Sequence, residues 1–188
     1  MNKYKVAIHT PVKNEHCLKE WILHYKNLGF NYFIIFDDKS DIPVETYFKN
    51  INVDFTILRD EQPVFDISFV KKNRSFSRKE LLEDKVFPLC REKKIDYLAI
   101  FDADEYLYFK NFKDVNQMID YYNPFDTIKI NWLIYKCDKY EIKNNSLKNE
   151  FLYSQRYLLS YYKSLTKVSS ILSSVHNSAH YISLKKTQ

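Results

Sequence analysis

Short apolar runs and helical stripes alternate along the first half of the chain. KVAIHT (5–10) is a compact apolar stretch that predicts a buried strand, with Pro11 ending it because proline cannot donate to a ladder. In EHCLKEWILHYKNLG, Leu18, Trp21, Ile22, Tyr25 and Leu28 recur at steps of three and four. That stripe predicts an amphipathic helix, and Gly29 is placed to close it in the left-handed conformation. NYFIIFDD is apolar without alternation, the pattern of a strand covered on both faces. A short helix is predicted at VETYFKN and a strand at VDFTILRD (53–60). A longer helix is predicted from about Ser77 to Lys94, with Leu81, Leu82, Val86, Leu89 and Cys90 on one stripe. Ser77 and Glu80 have the spacing of a capping box, and Pro88 is expected to kink or divide this helix. IDYLAIFD (95–102) then reads as another buried strand.

Strand and helix alternating at this rhythm predict an α/β fold with a mostly parallel central sheet and right-handed crossovers. The second half differs. After a helix predicted at DVNQMIDYY come FDTIKINWLIY, FLYSQRYLLSYY and SLTKVSSILSSV, rich in β-branched and aromatic residues, so this part is expected to be antiparallel or mixed. No repeat, linker or low-complexity segment divides the chain, and a single domain over residues 1–188 is expected.

Composition narrows the class. A chain that is 45% apolar and 17% aromatic offsets its ordering entropy by burial, which excludes a disordered protein. No apolar run approaches the roughly 20 residues that a spanning helix needs. The start MNKYKVAIHT lacks the layout of a signal peptide. A cytoplasmic protein without a transmembrane segment is therefore expected, with peripheral membrane contact through its basic surface as the variant of that expectation. Cys17, Cys90 and Cys137 are odd in number and widely spaced, which reads as reduced, buried thiols. The net charge of +5 comes from lysines scattered along the chain, with short clusters only at KKNR (71–74) and REKK (91–94). Such scatter solvates a surface, and no nucleic-acid partner is expected.

The candidate chemistry lies in AIFDADEYLYF (99–109), where Asp102, Asp104 and Glu105 interrupt an apolar segment. Ligands of open parallel sheets bind beyond the carboxyl ends of the strands, and Asp102 directly follows such a strand. Should extended geometry continue for two residues, alternation turns Asp102 and Asp104 the same way. Two crowded carboxylates repel unless a cation neutralises them, and oxygen donors of this kind suit Mg²⁺ or Mn²⁺. The plainer alternative is a solvated strand end or a helix cap. TPVKNEHC, with Lys13, Asn14 and Glu15, and DDKSD, with Asp37, Asp38, Ser40 and Asp41, follow the first and second strands. Each alone reads as a turn or cap. All three are expected at one sheet edge, and their convergence marks a site.

KNEHCLKEWILHYKNLGFNYFIIFDDKSD resembles the opening of GT-A glycosyltransferases of the family 2-like and family 92-like groups. FDADEYL resembles their metal-binding DxD motif with its following acid, NWLIY their tryptophan segment, and NSAHY the late histidine. The resemblance implies a Rossmann-like GT-A fold and transfer of a sugar, a hexose for instance, from a nucleotide-diphosphate donor, UDP-linked above all. The acceptor would be a hydroxyl on a glycan, protein or lipid. Pro11, Lys13, Asn14 and Glu15 would line the nucleotide pocket, with Asp37 or Asp38 on the base or ribose. Asp102 and Asp104 would contact the ribose and a Mn²⁺ or Mg²⁺ ion, with His180 or His176 as a late metal ligand. Asp138 and Glu141 are the candidates for a base, and Lys13, Arg74 and Arg78 for phosphate contacts. The acidic pair that supplies the base in many relatives is not recognisable, and DDKSD is one residue shorter than the usual loop. Two alternatives stand beside this reading. One is a non-catalytic nucleotide-sugar or carbohydrate-binding module of the same fold. The other is an aspartate-nucleophile phosphohydrolase, whose motif would sit on the first strand.

Overall fold

The computed structural model describes residues 3–59, 80–131, 133, 135–136, 153–154, 162–172, 182 and 184. In chain order these form β1 (Val6–Val12), α1 (Leu18–Asn27), β2 (Tyr32–Asp37), a 3₁₀ turn (Val44–Phe48) and β3 (Asp54–Leu58). A wide π-type turn (Leu81–Val86) runs into α2 (Phe87–Glu92), followed by β4 (Tyr97–Ile100) and α3 (Val115–Tyr122). The remainder supplies β5 (Thr127–Asn131), β6 (Tyr135–Lys136), β7 (Tyr153–Ser154) and β8 (Tyr162–Lys167). Six strands make one mixed sheet in the order β3-β2-β1-β4-β8-β5, and β6 pairs with β7 apart from it. The strands from β3 to β4 run parallel, whereas β8 is antiparallel to both its neighbours. The fold is thus α/β with a parallel core and an antiparallel flank, as the change of pattern halfway along the sequence predicts.

Side-chain alternation along β1 and β2 sorts the core into two layers. Val6, Ile8, Val12, Phe33 and Ile35 face the side of α1 and α3, where they pack with Trp21, Ile22, Val115 and Ile119. Ala7, Ile34, Phe36, Leu98 and Ile100 face the other side, against Leu82, Val86, Phe87 and Cys90. All six residues of β2 are buried, which explains its unbroken apolar run. Gly29 closes α1 at φ +90, with its N–H on Lys26 O. A side chain there would be strained by that φ and would also meet Asn116 Nδ2 at 3.2 Å.

One expectation is corrected and one is met. Pro11 does not end β1, which continues to Val12 in register with Asp37. Along β1 the backbone groups turn alternately to the two neighbours: Val6 O and Val12 O accept from Asn31 and Asp38 on the β2 side, and His9 O accepts from Phe101 on the β4 side. Pro11 shares the parity of His9, and pairing with β4 stops at His9. Its nitrogen therefore faces the gap above β4, where no ladder bond is lost. The helix expected over 77–94 is divided at Pro88 as its proline predicts, into a wide turn and then α2, with the join one residue before Pro88. Proline there removes a donor and its ring crowds the carbonyl four residues back, so the α pattern cannot run through it unchanged. Ser77 lies outside the described residues.

Candidate functional site

β1 lies between β2, which leads the chain one way, and β4, which leads it the other. The carboxyl ends of β1 and β4 therefore flank the switch point of the sheet, where an open α/β fold leaves a crevice. All three acid-bearing loops emerge at this edge.

The first two loops are clipped together. Asp41 N donates to Asn14 Oδ1 at 2.7 Å, Asn14 Nδ2 donates to Asp41 Oδ2 at 3.0 Å, and Asn14 N donates to Ser40 Oγ at 3.1 Å. Asn14 and Lys39 hold left-handed backbone at φ 52 and 57, a region uncommon for residues with a Cβ and most open to asparagine among them. Asp37 is consumed structurally, because its carboxylate accepts from Ser40 N at 2.9 Å and from Arg59 Nε at 3.1 Å. Arg59 in turn forks onto Glu45 through two bonds of 2.8 Å. Asp38 differs. Its side chain is buried, and Oδ2 has no hydrogen-bond partner among the described residues, with Lys13 Nζ 3.7 Å away. A buried carboxylate oxygen left in this state is poised to accept from a ligand. Between the loops lies a cleft of about 160 Å³ lined by Asn14, Glu15, Ser40, Asp41, Val44 and Tyr47, among others.

The third loop is a turn, not an extended segment. Glu105 N donates to Asp102 O at 3.0 Å, and Glu105 folds back so that its Oε2 accepts from Asp102 N at 2.7 Å. Strand alternation therefore does not orient Asp102 and Asp104. The reversal buries Ala103 and exposes Asp104. The turn is gripped from α1. Trp21 Nε1 donates to both Asp102 O and Glu105 O at 3.1 Å. The Tyr25 hydroxyl donates to Glu105 O and accepts from Leu107 N, each at 3.0 Å, while the His24 ring lies 2.9 Å from Leu107 O. The same helix that fills the core with Leu18 and Ile22 thus fixes the acidic turn with its polar tips.

Lys163 completes the arrangement. It sits on β8, two residues before Leu165, which pairs with Ala99 of β4. Its side chain is wholly buried, and its ammonium lies 3.0 Å from Asp102 Oδ2 and 3.0 Å from Glu105 Oε2. Burial pushes the Glu105 carboxyl up to about 7; Lys163 opposes this and the Asp102 charge reinforces it. Tyr106, just beyond, is raised by burial first and then by the charges of Glu20, Cys17 and Glu15, so the acidic segment and the first loop share one electrostatic neighbourhood.

Of the residues singled out in the sequence, the fold brings Pro11, Lys13, Asn14, Glu15, Asp37, Asp38, Asp102 and Asp104 to one edge. Asp138, Glu141, His176, His180, Arg74, Arg78 and Cys137 lie outside the described residues. Among the described residues no three His, Cys, Asp or Glu side chains gather as a ready-made metal cage. Exposed Asp104 and half-buried Asp102 are oxygen donors of the chemical type that hard divalent ions take. Sequence reading missed Lys163, Arg59 and the gripping role of Trp21, His24 and Tyr25. For Lys163 a signal existed, because in YKSLTK it shares a face with Leu165, an inward position for a lysine.

No protein-family model matches the chain, and no curated protein matches it in sequence. Among the described residues no helix is long and apolar enough to cross a membrane.

Proposed function

We propose that this protein is a metal-dependent glycosyltransferase of the GT-A kind, moving a sugar from a nucleotide-diphosphate donor, UDP-linked above all, to a hydroxyl acceptor. The observation that supports this most is the rigidly held acidic turn at the carboxyl end of β4, beside the first two loops at the switch point. Asp104 is exposed at the tip of that turn while the backbone beneath it is clamped, the arrangement of a group displayed to a ligand.

In this reading the nucleoside occupies the edge between the first and second loops. Asp38 is the acceptor offered to the ribose or base, since Asp37 is already spent on Ser40 and Arg59. Lys13, half exposed beside Asp38, reaches towards phosphate oxygens. Asp104 and the outer oxygen of Asp102 would hold Mn²⁺ or Mg²⁺, which when bound would neutralise charge on the departing diphosphate as a Lewis acid. Negative charge develops on the diphosphate as the glycosidic bond to it breaks, and a cation held beside it would stabilise that charge more than it stabilises the intact donor. Donor sugars of the cytosol are the accessible pool for a cytoplasmic enzyme of this type.

The test is thermal shift with UDP, GDP and CMP, each with and without Mn²⁺. A ligand that binds only the folded state raises the melting temperature, so a gain requiring both nucleotide and metal is expected. No gain with any nucleotide refutes the reading. Slow hydrolysis of a nucleotide-sugar, lost in Asp104→Ala, separates an enzyme from a binding module of the same fold.

A further inference from the structure

α3 turns Val115, Met118 and Ile119 into the core and leaves a cluster of aromatic rings on its outer side. Phe112 packs against Tyr121 and Tyr122 with ring centroids 5.4 and 5.8 Å apart, and the two tyrosines meet edge to face at 4.9 Å. Together with Asn111 and Gln117 they line an open groove of about 250 Å³. Tyr121 is 71% exposed and Tyr122 48%, and large rings left in water as a group mark a contact surface. The polar part of the lining is equally specific. Gln117 Oε1 accepts from Lys113 N at 2.6 Å and Gln117 N donates to Asp114 Oδ1 at 2.9 Å, which holds this amide in one orientation. Neither its Nε2 nor the Asn111 amide has a hydrogen-bond partner among the described residues. No acid, lysine, arginine or histidine is among the five lining residues, and Asp120 on the same helix is taken by Lys3 at 2.6 Å and by the Tyr4 hydroxyl at 2.8 Å.

We propose that this groove is a carbohydrate-binding site that takes uncharged sugar units of a longer glycan. A pyranose matches both halves of the lining. Its C–H faces lie against the electron-rich faces of tyrosine rings, while its hydroxyls accept from amide N–H groups and donate to amide or phenol oxygens. The neutral lining gives a phosphate, an anionic headgroup or an acidic peptide no charge to meet. It also holds no aliphatic side chain, so it lacks the apolar centre of a stable protein contact. At about 250 Å³ it falls below the roughly 300–1,000 Å³ that encloses a drug-sized ligand, which suits a short stretch of a chain whose remainder stays in water. The groove is separate from the crevice described above. Tyr4 N donates to Asn116 Oδ1 at 3.3 Å, and Phe125, just beyond α3, stacks on Tyr97 at the start of β4 with centroids 5.3 Å apart. These contacts tie α3 to the amino ends of the strands, whereas the acidic turn stands at their carboxyl ends, on the order of 20 Å away along β1. Under the glycosyltransferase reading, on which this last step alone rests, the groove holds a distant part of a long acceptor while its end reaches the turn.

The experiment is saturation-transfer difference NMR on the intact protein, with cellohexaose, maltohexaose and N-acetylchitotetraose as neutral probes and hexagalacturonate as the anionic one. Millimolar binding of at least one neutral probe, without nucleotide or metal, is expected. Tyr121→Ala should weaken it about tenfold by removing a stacking platform, whereas Tyr121→Phe keeps the ring and should bind as wild type does. Gln117→Glu keeps an acceptor for Lys113 N but deletes the Nε2 donor, and should bind severalfold more weakly at an unchanged melting temperature. No neutral probe bound, a signal from hexagalacturonate alone, or binding unaffected by Tyr121→Ala overturns the proposal. So does a wild-type dimer in sedimentation, or cosedimentation with phosphatidylglycerol vesicles, that Tyr121→Ala abolishes, since the rings then form an interface between copies or a membrane contact. Thermal shift with UDP and Mn²⁺ is recorded beside it. Saccharide binding without that shift sinks the glycosyltransferase reading and keeps the groove, and the shift without saccharide binding does the reverse.

Discussion

Replacing Tyr25 by Phe isolates one hydroxyl group from everything else that α1 does. The ring is fully buried, with its centroid 4.7 Å from Trp21, 5.2 Å from Phe30 and 5.6 Å from Phe101, and phenylalanine keeps all three contacts. Lost are a donor to Glu105 O and an acceptor for Leu107 N. The two losses are unequal. Glu105 O keeps Trp21 Nε1 at 3.1 Å, whereas no bond from Leu107 N other than the one to Tyr25 is among those described. An unsatisfied buried donor costs about 1–3 kcal/mol, so about 2 kcal/mol is expected for the whole change. For a chain of this size that corresponds to a fall of roughly 4–8 °C in melting temperature. Urea unfolding followed by circular dichroism measures the free energy, with an unchanged dependence on denaturant showing that the folded state has kept its compactness. Trp21→Phe supplies the second arm of a cycle, because the double variant strips Glu105 O of both its donors. A coupling of at least about 0.5 kcal/mol is expected. Stability of Tyr25→Phe within about 0.5 kcal/mol of wild type, or additive effects in the double variant, would refute the claim that this hydroxyl anchors the acidic turn.

Asp104→Ala is expected to leave the melting temperature of the ligand-free protein within about 2 °C of wild type, because the side chain is exposed, while abolishing the metal-dependent gain with nucleotide. Glu105, pushed from 4.5 up to about 7 by burial, stays protonated in the folded chain after it has ionised in the unfolded one. Its contribution to stability is therefore complete below about pH 4.5 and is lost as pH rises to about 7, by at most about 3 kcal/mol; melting curves in EDTA should flatten across this window in Glu105→Gln. Gly29→Ala, at φ +90 and with its new carbon 3.2 Å from Asn116 Nδ2, is expected to lose about 1–2 kcal/mol in the same urea assay. The Cys90 thiol, raised by burial to about 12, should resist iodoacetamide at pH 8 in the native protein and react promptly in denaturant, as peptide mass mapping would show.

Most of the parallel half was legible because its signals are local. The apolar run of NYFIIFDD, the stripe from Leu18 to Leu28 and the position of Gly29 each lie within one element, and each appears in the fold as read. The gathering of the three loops followed from the parallel arrangement alone. What escaped depends on pairing between distant segments. Pro11 reads as a terminator until the early end of β4 shows that its missing donor faces a gap. Asp102 and Asp104 read as an extended pair until Glu105 is seen folding back onto Asp102 N. Neither the place of β8 beside β4 nor the ion pairs of Lys163 are written in any neighbourhood of the sequence, since partners some sixty positions apart leave no periodic trace. Asp37 and Asp38 were indistinguishable as adjacent acids, and it is Ser40 N together with Arg59, just past the end of β3, that separates their roles.

The insertion of β8 between β4 and β5 has a bearing on how the molecule is made. During synthesis every parallel strand leaves the ribosome before residue 162 does, so for that interval β4 presents a bare edge and β5 has no partner in the main sheet. Nascent chains halted short of β8 should accordingly bind chaperones and be cut readily by proteases, and resistance should arrive in a single step once the segment carrying Lys163 has emerged.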